Sequence, residues 1–184
     1  MGQHKQHLCP CGSGKHKKAC CQQLPRGTKV ELEETARRLS KAGRHLEACE
    51  VLEQRAALSP DNPMIWNELG NEYAAAGQLE NALAALKRGH EVCPDYPLPL
   101  YNLGKHLLDR CLELRSAGSS DEVQVQAMAA DAIKYFKASL ERDFENAACH
   151  HNLAIAYRIV EDLPGASAHM IESLRLDPAT KGSS

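Results

Sequence analysis

Cys9, Cys11, Cys20 and Cys21 fall within one run, CPCGSGKHKKACC (residues 9–21), beside Lys15, His16, Lys17, Lys18 and two glycines. Residues of these types at this density can bind a metal, close a disulfide clip, cradle a phosphate or exchange thiols. A phosphate loop requires G-x-x-x-x-G-K-[ST] between a strand and a helix; GSGKH lacks the first glycine and the Ser or Thr. A thioredoxin-like motif requires C-x-x-C within a βαβ pattern, whereas the spacing here is C-x-C. A disulfide runs against the reducing compartment implied by the polar N-terminus MGQHKQHL, which has no secretory leader. Zinc fits best, because a tetrahedral site needs four N or S donors. Gly12 and Gly14 permit the positive-φ turn that lets Cys9 and Cys11 face one point, and Cys20 with Cys21 supplies the second pair. Residues 1–24 carry almost no apolar side chains besides Leu8 and Leu24, so metal binding would itself supply the folding free energy. His4, His7 and His16 remain open as alternative donors.

The other candidates for chemistry are sparser. Cys49, Cys93, Cys111 and Cys149 lie within an apolar helical pattern and read as small buried residues. His45 and Cys49 are i,i+4 on one helix, and His150-His151 form a pair, but neither has a matching acid or third ligand. No nucleophile–base–acid constellation emerges, and a zinc held by four protein ligands is a closed, structural site. The expectation is a protein that is not an enzyme.

The elements that position these residues come from a repeat. Aromatics make up 4% of the chain while Ala and Leu abound, which favours helix over sheet. The segment WNELGNEYAAAGQLENALAALKRGHEVCPDY places Trp66, Leu69, Gly70, Tyr73, Gly77, Ala82, Leu86 and Pro94 at set intervals. The same pattern recurs one period earlier at Leu32, Ala36, Leu39, Gly43, Ala48, Leu52 and Pro60. It recurs later at Leu100, Leu103, Gly104 and Leu107, resumes at Ala132 and Phe136 after sixteen extra residues, and ends with Leu153, Ala154, Tyr157, Ala166, Met170 and Pro178. Each copy has two segments with apolar residues at i, i+3, i+4 and i+7. Gly70, Ala82, Gly104, Ala132, Ala154 and Ala166 sit where paired helices must approach closely. Thr28 with Glu31, and Ser119 with Glu122, read as capping boxes, and Asn62-Pro63 as an N-cap followed by proline at N1. Pro60, Pro94 and Pro178 mark helix ends. The surplus in the third copy divides into two lengthened helices around AGSS, projecting roughly 12 Å at about 1.5 Å per residue.

This pattern resembles the tetratricopeptide repeat (TPR). The resemblance implies an all-α fold: a solenoid of four helix pairs at 29–62, 63–96, 97–146 and 147–180. Before it lie a knuckle at 1–24 and a linker at 25–28; after it, a tail at 181–184. Such repeats line a concave groove with the first helix of each pair. Here that register selects Asn67, Asn71, Tyr101, Asn102, Lys105, Asp109, His151, Asn152 and Arg158. Asn102 and Asn152 hold equivalent positions, resembling the asparagine ladder with which some TPR proteins hold peptide backbone, since an amide both donates and accepts. Glu33 and Glu68 fall where a carboxylate clamp needs Lys or Asn, which excludes an acidic C-terminal ligand. Ala168, Ile171 and Leu174 are expected to be partly exposed, so that a second copy of the chain or a partner would cover this end.

The N-terminal run is similar to the SEC-C motif, C-P-C-G-S-G-x-K-[YF]-K-x-C-[CH], found at the C-terminus of the translocase ATPase SecA and in many small bacterial proteins. Cys9, Pro10, Cys11, Gly12, Ser13, Gly14, Lys18, Cys20 and Cys21 match in place, Lys15 fills the variable position, and His16 stands where Lys is frequent. By this resemblance Cys9, Cys11, Cys20 and Cys21 ligate one structural zinc, and Lys15, His16, Lys17 and Lys18 form a docking surface. Lys17 departs from the family, which has an aromatic there. In SecA the module docks a chaperone and the ribosome.

Charge supports two different ends. Residues 1–30 hold six basic residues and no acid, so the remainder, with 16 basic and 24 acidic residues, carries −8. The combined expectation is a cytoplasmic bacterial adaptor without a membrane span. Its knuckle docks one macromolecule and its groove binds a peptide or helix of another. The alternatives are ribosomal RNA contact through the knuckle, and a targeting module for an enzyme.

Overall fold

The computed structural model describes residues 26–118 and 121–177. Cys9, Cys11, Cys20, Cys21 and the Lys15–Lys18 surface lie outside the described residues, as do Ser119 and Pro178. Among the described residues, eight helices form four hairpins: α1 (Arg26–Lys41) with α2 (His45–Leu58), α3 (Pro63–Ala75) with α4 (Leu79–Val92), α5 (Leu98–Ser116) with α6 (Glu122–Leu140), and α7 (Ala147–Ile159) with α8 (Leu163–Leu176). They group into two compact units, α1–α4 and α5–α8, dividing between Val92 and Cys93.

The paired helices approach where a side chain is missing. Gly70 on α3 faces Leu86 on α4 so closely that an added Cβ would lie 2.5 Å from Leu86 Cγ. Gly104 on α5 faces Phe136 on α6, and its Cβ would meet the ring at 2.8 Å. Leu86 and Phe136 are fully buried, as are Ala82, Ala132 and Ala154. The small positions selected by the repeat are therefore the crossing points.

Helix ends follow local chemistry. Asn62 accepts from Met64 N at 3.0 Å with Pro63 at N1, as the sequence indicates. Two other caps differ from expectation. α1 already runs at Arg26, so Thr28 lies inside the helix rather than at its cap. α6 is capped by Asp121, which accepts from Gln124 N at 2.9 Å and ranks with Ser as an N-cap.

Each hairpin turns through one left-handed residue. Gly43, Gly77 and Gly118 take φ of +71°, +76° and +70°, and the fourth hairpin uses Glu161 at +61°. After α3 the turn closes with Gln78 N donating to Tyr73 O at 2.8 Å; after α7, Asp162 N donates to Tyr157 O at 3.0 Å. A side chain with Cβ in this region costs about 1–2 kcal/mol, so Glu161 is strained where the other three turns are not.

Within the second unit α5 outruns α7, 19 residues against 13, and α6 outruns α8, 19 against 14. The extension is about 9 Å on α5 at 1.5 Å per residue, shorter than the 12 Å expected, because part of the surplus lies in the longer turn after Ser116. Its interior is packed: Cys111, Val125 and Ala129 are fully buried, and the Cys111 thiol donates to Val125 O at 3.4 Å.

Gly104→Val is expected to destabilise the protein by about 1–3 kcal/mol through overpacking against Phe136, read as a lower urea midpoint of the α5–α8 signal. An unchanged midpoint would contradict the close crossing.

Candidate interaction sites

The residues chosen for a peptide groove divide between the two units. On α3, Asn67 is 9% exposed and Asn71 is half-buried; both are engaged within the protein. On α5, Asn102 is likewise 9% exposed and partnered. Tyr101 tilts against Phe136 with ring centroids 6.0 Å apart. Its hydroxyl accepts from Asn152 Nδ2 on α7 at 3.2 Å, and burial raises its pKa. Lys105 pairs with Asp109 at 2.8 Å. His151 and Arg158 are exposed on α7. Tyr101 and Asn152 are thus brought together, and the carboxamides of Asn67 and Asn102 are turned inward.

Glu33 and Glu68 are also brought together. Arg55, 11% exposed at its side chain, bonds Glu68 at 2.6 Å and Glu33 at 3.2 Å, joining α1, α2 and α3. The guanidinium fork suits two carboxylates at once. These acids are matched inside the chain.

An apolar cleft of about 440 Å³ opens elsewhere in the first unit. Ala56 and Ala57 on α2 and Ala84 and Ala85 on α4 line it, Leu69 and Tyr73 come from α3, and Trp66 supplies a wall. The space exists because four alanines stand where larger side chains would fill it. Trp66 Nε1 donates to Pro60 O at 2.8 Å, satisfying the indole's polar edge. The Tyr73 hydroxyl donates to the Glu53 carboxylate at the margin, and burial together with this bond raises the Tyr73 pKa. The cleft is within the roughly 300–1,000 Å³ of ordinary ligand sites, with few polar groups placed at its edge. In the sequence Trp66 and Tyr73 serve only as marks of the repeat; the paired alanines of α2 and α4 were the available signal.

A histidine chain joins the second unit. Fully buried His150 sits with Nε2 3.0 Å from Phe144 O and Nδ1 2.9 Å from His169 Nδ1. A carbonyl only accepts, so His150 carries its hydrogen on Nε2, and His169 Nδ1–H donates to the bare His150 Nδ1. The 5.1 Å centroid separation is close to the N···N gap plus one ring radius at each end, so the rings meet edge to edge. Tyr157 lies parallel to His169 at 5.6 Å. Burial, then His150 and Lys137, lower the His169 pKa, while Glu172 opposes them. Nineteen residues separate the two histidines on different helices, so no sequence pattern pairs them. No group of three or more metal-ligating side chains occurs among the described residues.

The buried thiols are poor nucleophiles. Burial pushes Cys49 and Cys111 up to about 11 and Cys149 up to about 12, so little thiolate forms at neutral pH. No helix among the described residues is long and apolar enough to cross a membrane.

A family model for the TPR repeat matches residues 70–108. No curated protein sequence matches the chain. Among solved structures, residues 41 to the end of MamA from Desulfovibrio magneticus RS-1 superpose with a TM-score of 0.67 at 18% identity, covering 82% of this chain and 76% of that one. A second MamA structure gives 0.66 at 16% identity over 90% and 86%. An IFIT1 monomeric mutant with Gppp-AAAA gives 0.51 at 17% identity over 73% and 38%. The shared property is the fold, a helix-hairpin repeat of the TPR kind.

His106, like His169, is a partly buried imidazole whose pKa is lowered by burial, with Lys105 acting in the same direction. Both histidines resist protonation in the fold while the unfolded chain titrates near 6.5, so the unfolded state binds more protons as pH falls through that value. Stability is expected to be lower at pH 5 than at pH 7, and the His106→Gln/His169→Gln protein should lose less over the same interval. Thermal melting at the two pH values measures this; an equal loss in both proteins would contradict it.

Proposed function

We propose that this protein is a protein-interaction adaptor whose first unit takes apolar side chains of a partner peptide in the Trp66–Tyr73 cleft. The observation that carries this reading is the cleft itself: an open apolar volume, lined with alanines, beside a polar margin at Glu53 and Asn81. An exposed apolar recess of this kind gains free energy when a partner's side chains displace its water. The TPR-type fold supports the reading, because helix hairpins present such faces on rigid elements.

The N-terminal run would supply a second contact. Cys9, Cys11, Cys20 and Cys21 hold one structural zinc, and Lys15, His16, Lys17 and Lys18 give that end its positive charge. The support is the donor set: four thiolates at knuckle spacing bind zinc as a closed site, and their net negative charge is offset by neighbouring lysines. The partner of this end is an acidic protein surface. Binding to RNA instead would show a steep loss of affinity with salt.

The Asn102–Asn152 groove is the weaker candidate for the peptide, because Asn102 is buried and Asn152 is engaged by Tyr101.

Peptide-display selection on the intact protein should enrich sequences carrying closely spaced apolar residues. Filling the cleft with Ala57→Leu and Ala84→Leu should abolish their binding while helical content is kept. Undiminished binding to the filled protein would contradict the reading. For the knuckle, native mass spectrometry should find one zinc per chain, released by Cys20→Ser. A metal-free chain with free thiols would overturn that assignment.

A further inference from the structure

Helix α8 has two faces of different character. Ala166, Ser173 and Leu176 point inward and are buried. On the opposite side Leu163, Ile171 and Leu174 are 65%, 67% and 54% exposed, with Ser167 and Ala168 exposed between them. At about 3.6 residues per turn these positions share one arc of the helix. From Leu163 to Leu174 the exposed positions of the arc are uncharged. Acids flank its N-terminal end, Glu161 and Asp162, and Arg175 flanks its C-terminal end.

We propose that this face is an interface between two copies of the chain, with α8 packed antiparallel against α8 of the second copy. The register is self-complementary in size. When the helices oppose each other about their midpoints, Ile171 of each copy sits over Ser167 and Ala168 of the other. Leu174 then meets Leu163 and Pro164. The two-fold axis repeats each of these pairs, so Ile171 meets small residues in both halves of the contact and the leucines meet each other.

Charge fixes the direction. In the antiparallel arrangement Arg175 of each copy lies beside Glu161 and Asp162 of the other, whereas a parallel pairing would set like charges together. Antiparallel helix dipoles favour the same orientation. Arg175 bonds Glu172 through Nε and Nη2, and its guanidinium has five N–H donors, so Nη1 is available for a second carboxylate. Glu161 adds an independent reason. It holds a left-handed conformation that the three other hairpins give to glycine, so the chain accepts strain and keeps a carboxylate at the position the pairing uses.

A head-to-tail contact, α8 on α1 of the second copy, lacks this match. The exposed positions of α1 include Lys29, Glu33, Glu34, Arg37 and Arg38, and Val30 is the one large apolar side chain exposed there among the described residues.

Sedimentation equilibrium up to sub-millimolar concentration tests the proposal on the intact chain. Wild type should form a reversible dimer. Ile171→Glu, at an exposed position that leaves far-UV dichroism unchanged, should weaken it by about tenfold or more. Arg175→Glu should weaken it too, and Glu161→Arg added to Arg175→Glu should restore it. A wild-type protein that stays monomeric, or a dimer indifferent to Ile171→Glu, would overturn the interface. Failure of the double charge reversal to restore association would overturn the antiparallel arrangement.

Discussion

Two glycine–large-residue contacts govern much of this molecule. Gly70 against Leu86 and Gly104 against Phe136 hold paired helices at a separation that a single added carbon would violate. Interiors are packed to near-crystalline density, so such a contact either fits or forces rearrangement. Because Phe136 seats on Gly104, Tyr101 can lean on its ring and reach Asn152. Beside the Gly70 crossing, Trp66 and Tyr73 are only partly buried and pack against a core that includes Leu69 and Ala85. The functional surfaces are what remains after the crossings are satisfied.

The surfaces that remain differ in how far they are spoken for. In the first unit Arg55 engages Glu33 and Glu68, and Asn67 is buried with a partner; in the second unit Asn102 is likewise buried with a partner. A peptide would have to displace those bonds, each worth about 0.5–1.5 kcal/mol net. The Trp66 cleft and the outer arc of α8 make no comparable demand, since both expose apolar carbon to water. Burial of apolar surface is the general driving force for association.

Much of the fold was legible because a helix-pair repeat writes its packing into spacing. Small residues recur where helices cross, prolines where chains turn, and apolar residues on one face. The Asn62-Pro63 start followed from the same local chemistry. Where several starters compete the sequence was less decisive. Thr28 suits a helix start, yet the first helix already runs at Arg26; Ser119 and Asp121 both suit the sixth, and Asp121 caps it. The sites were harder to read. Burial of Asn102 depends on how α5 rotates about its axis, which a repeat register fixes only to within a residue. The His150–His169 bond joins positions on different helices, and the cleft is a shape made by four alanines that individually look like ordinary helix formers.

A partner peptide, on the proposed function, enters the first unit between α2 and α4 above Trp66. Methyl-resolved NMR of the intact chain titrated with a display-selected peptide reads the location directly. Shifts are expected at the methyls of Ala56, Ala57, Ala84 and Ala85 and at the Trp66 indole. Shifts confined to the neighbourhood of Tyr101 and Asn152, with those alanines and the indole unmoved, would contradict it.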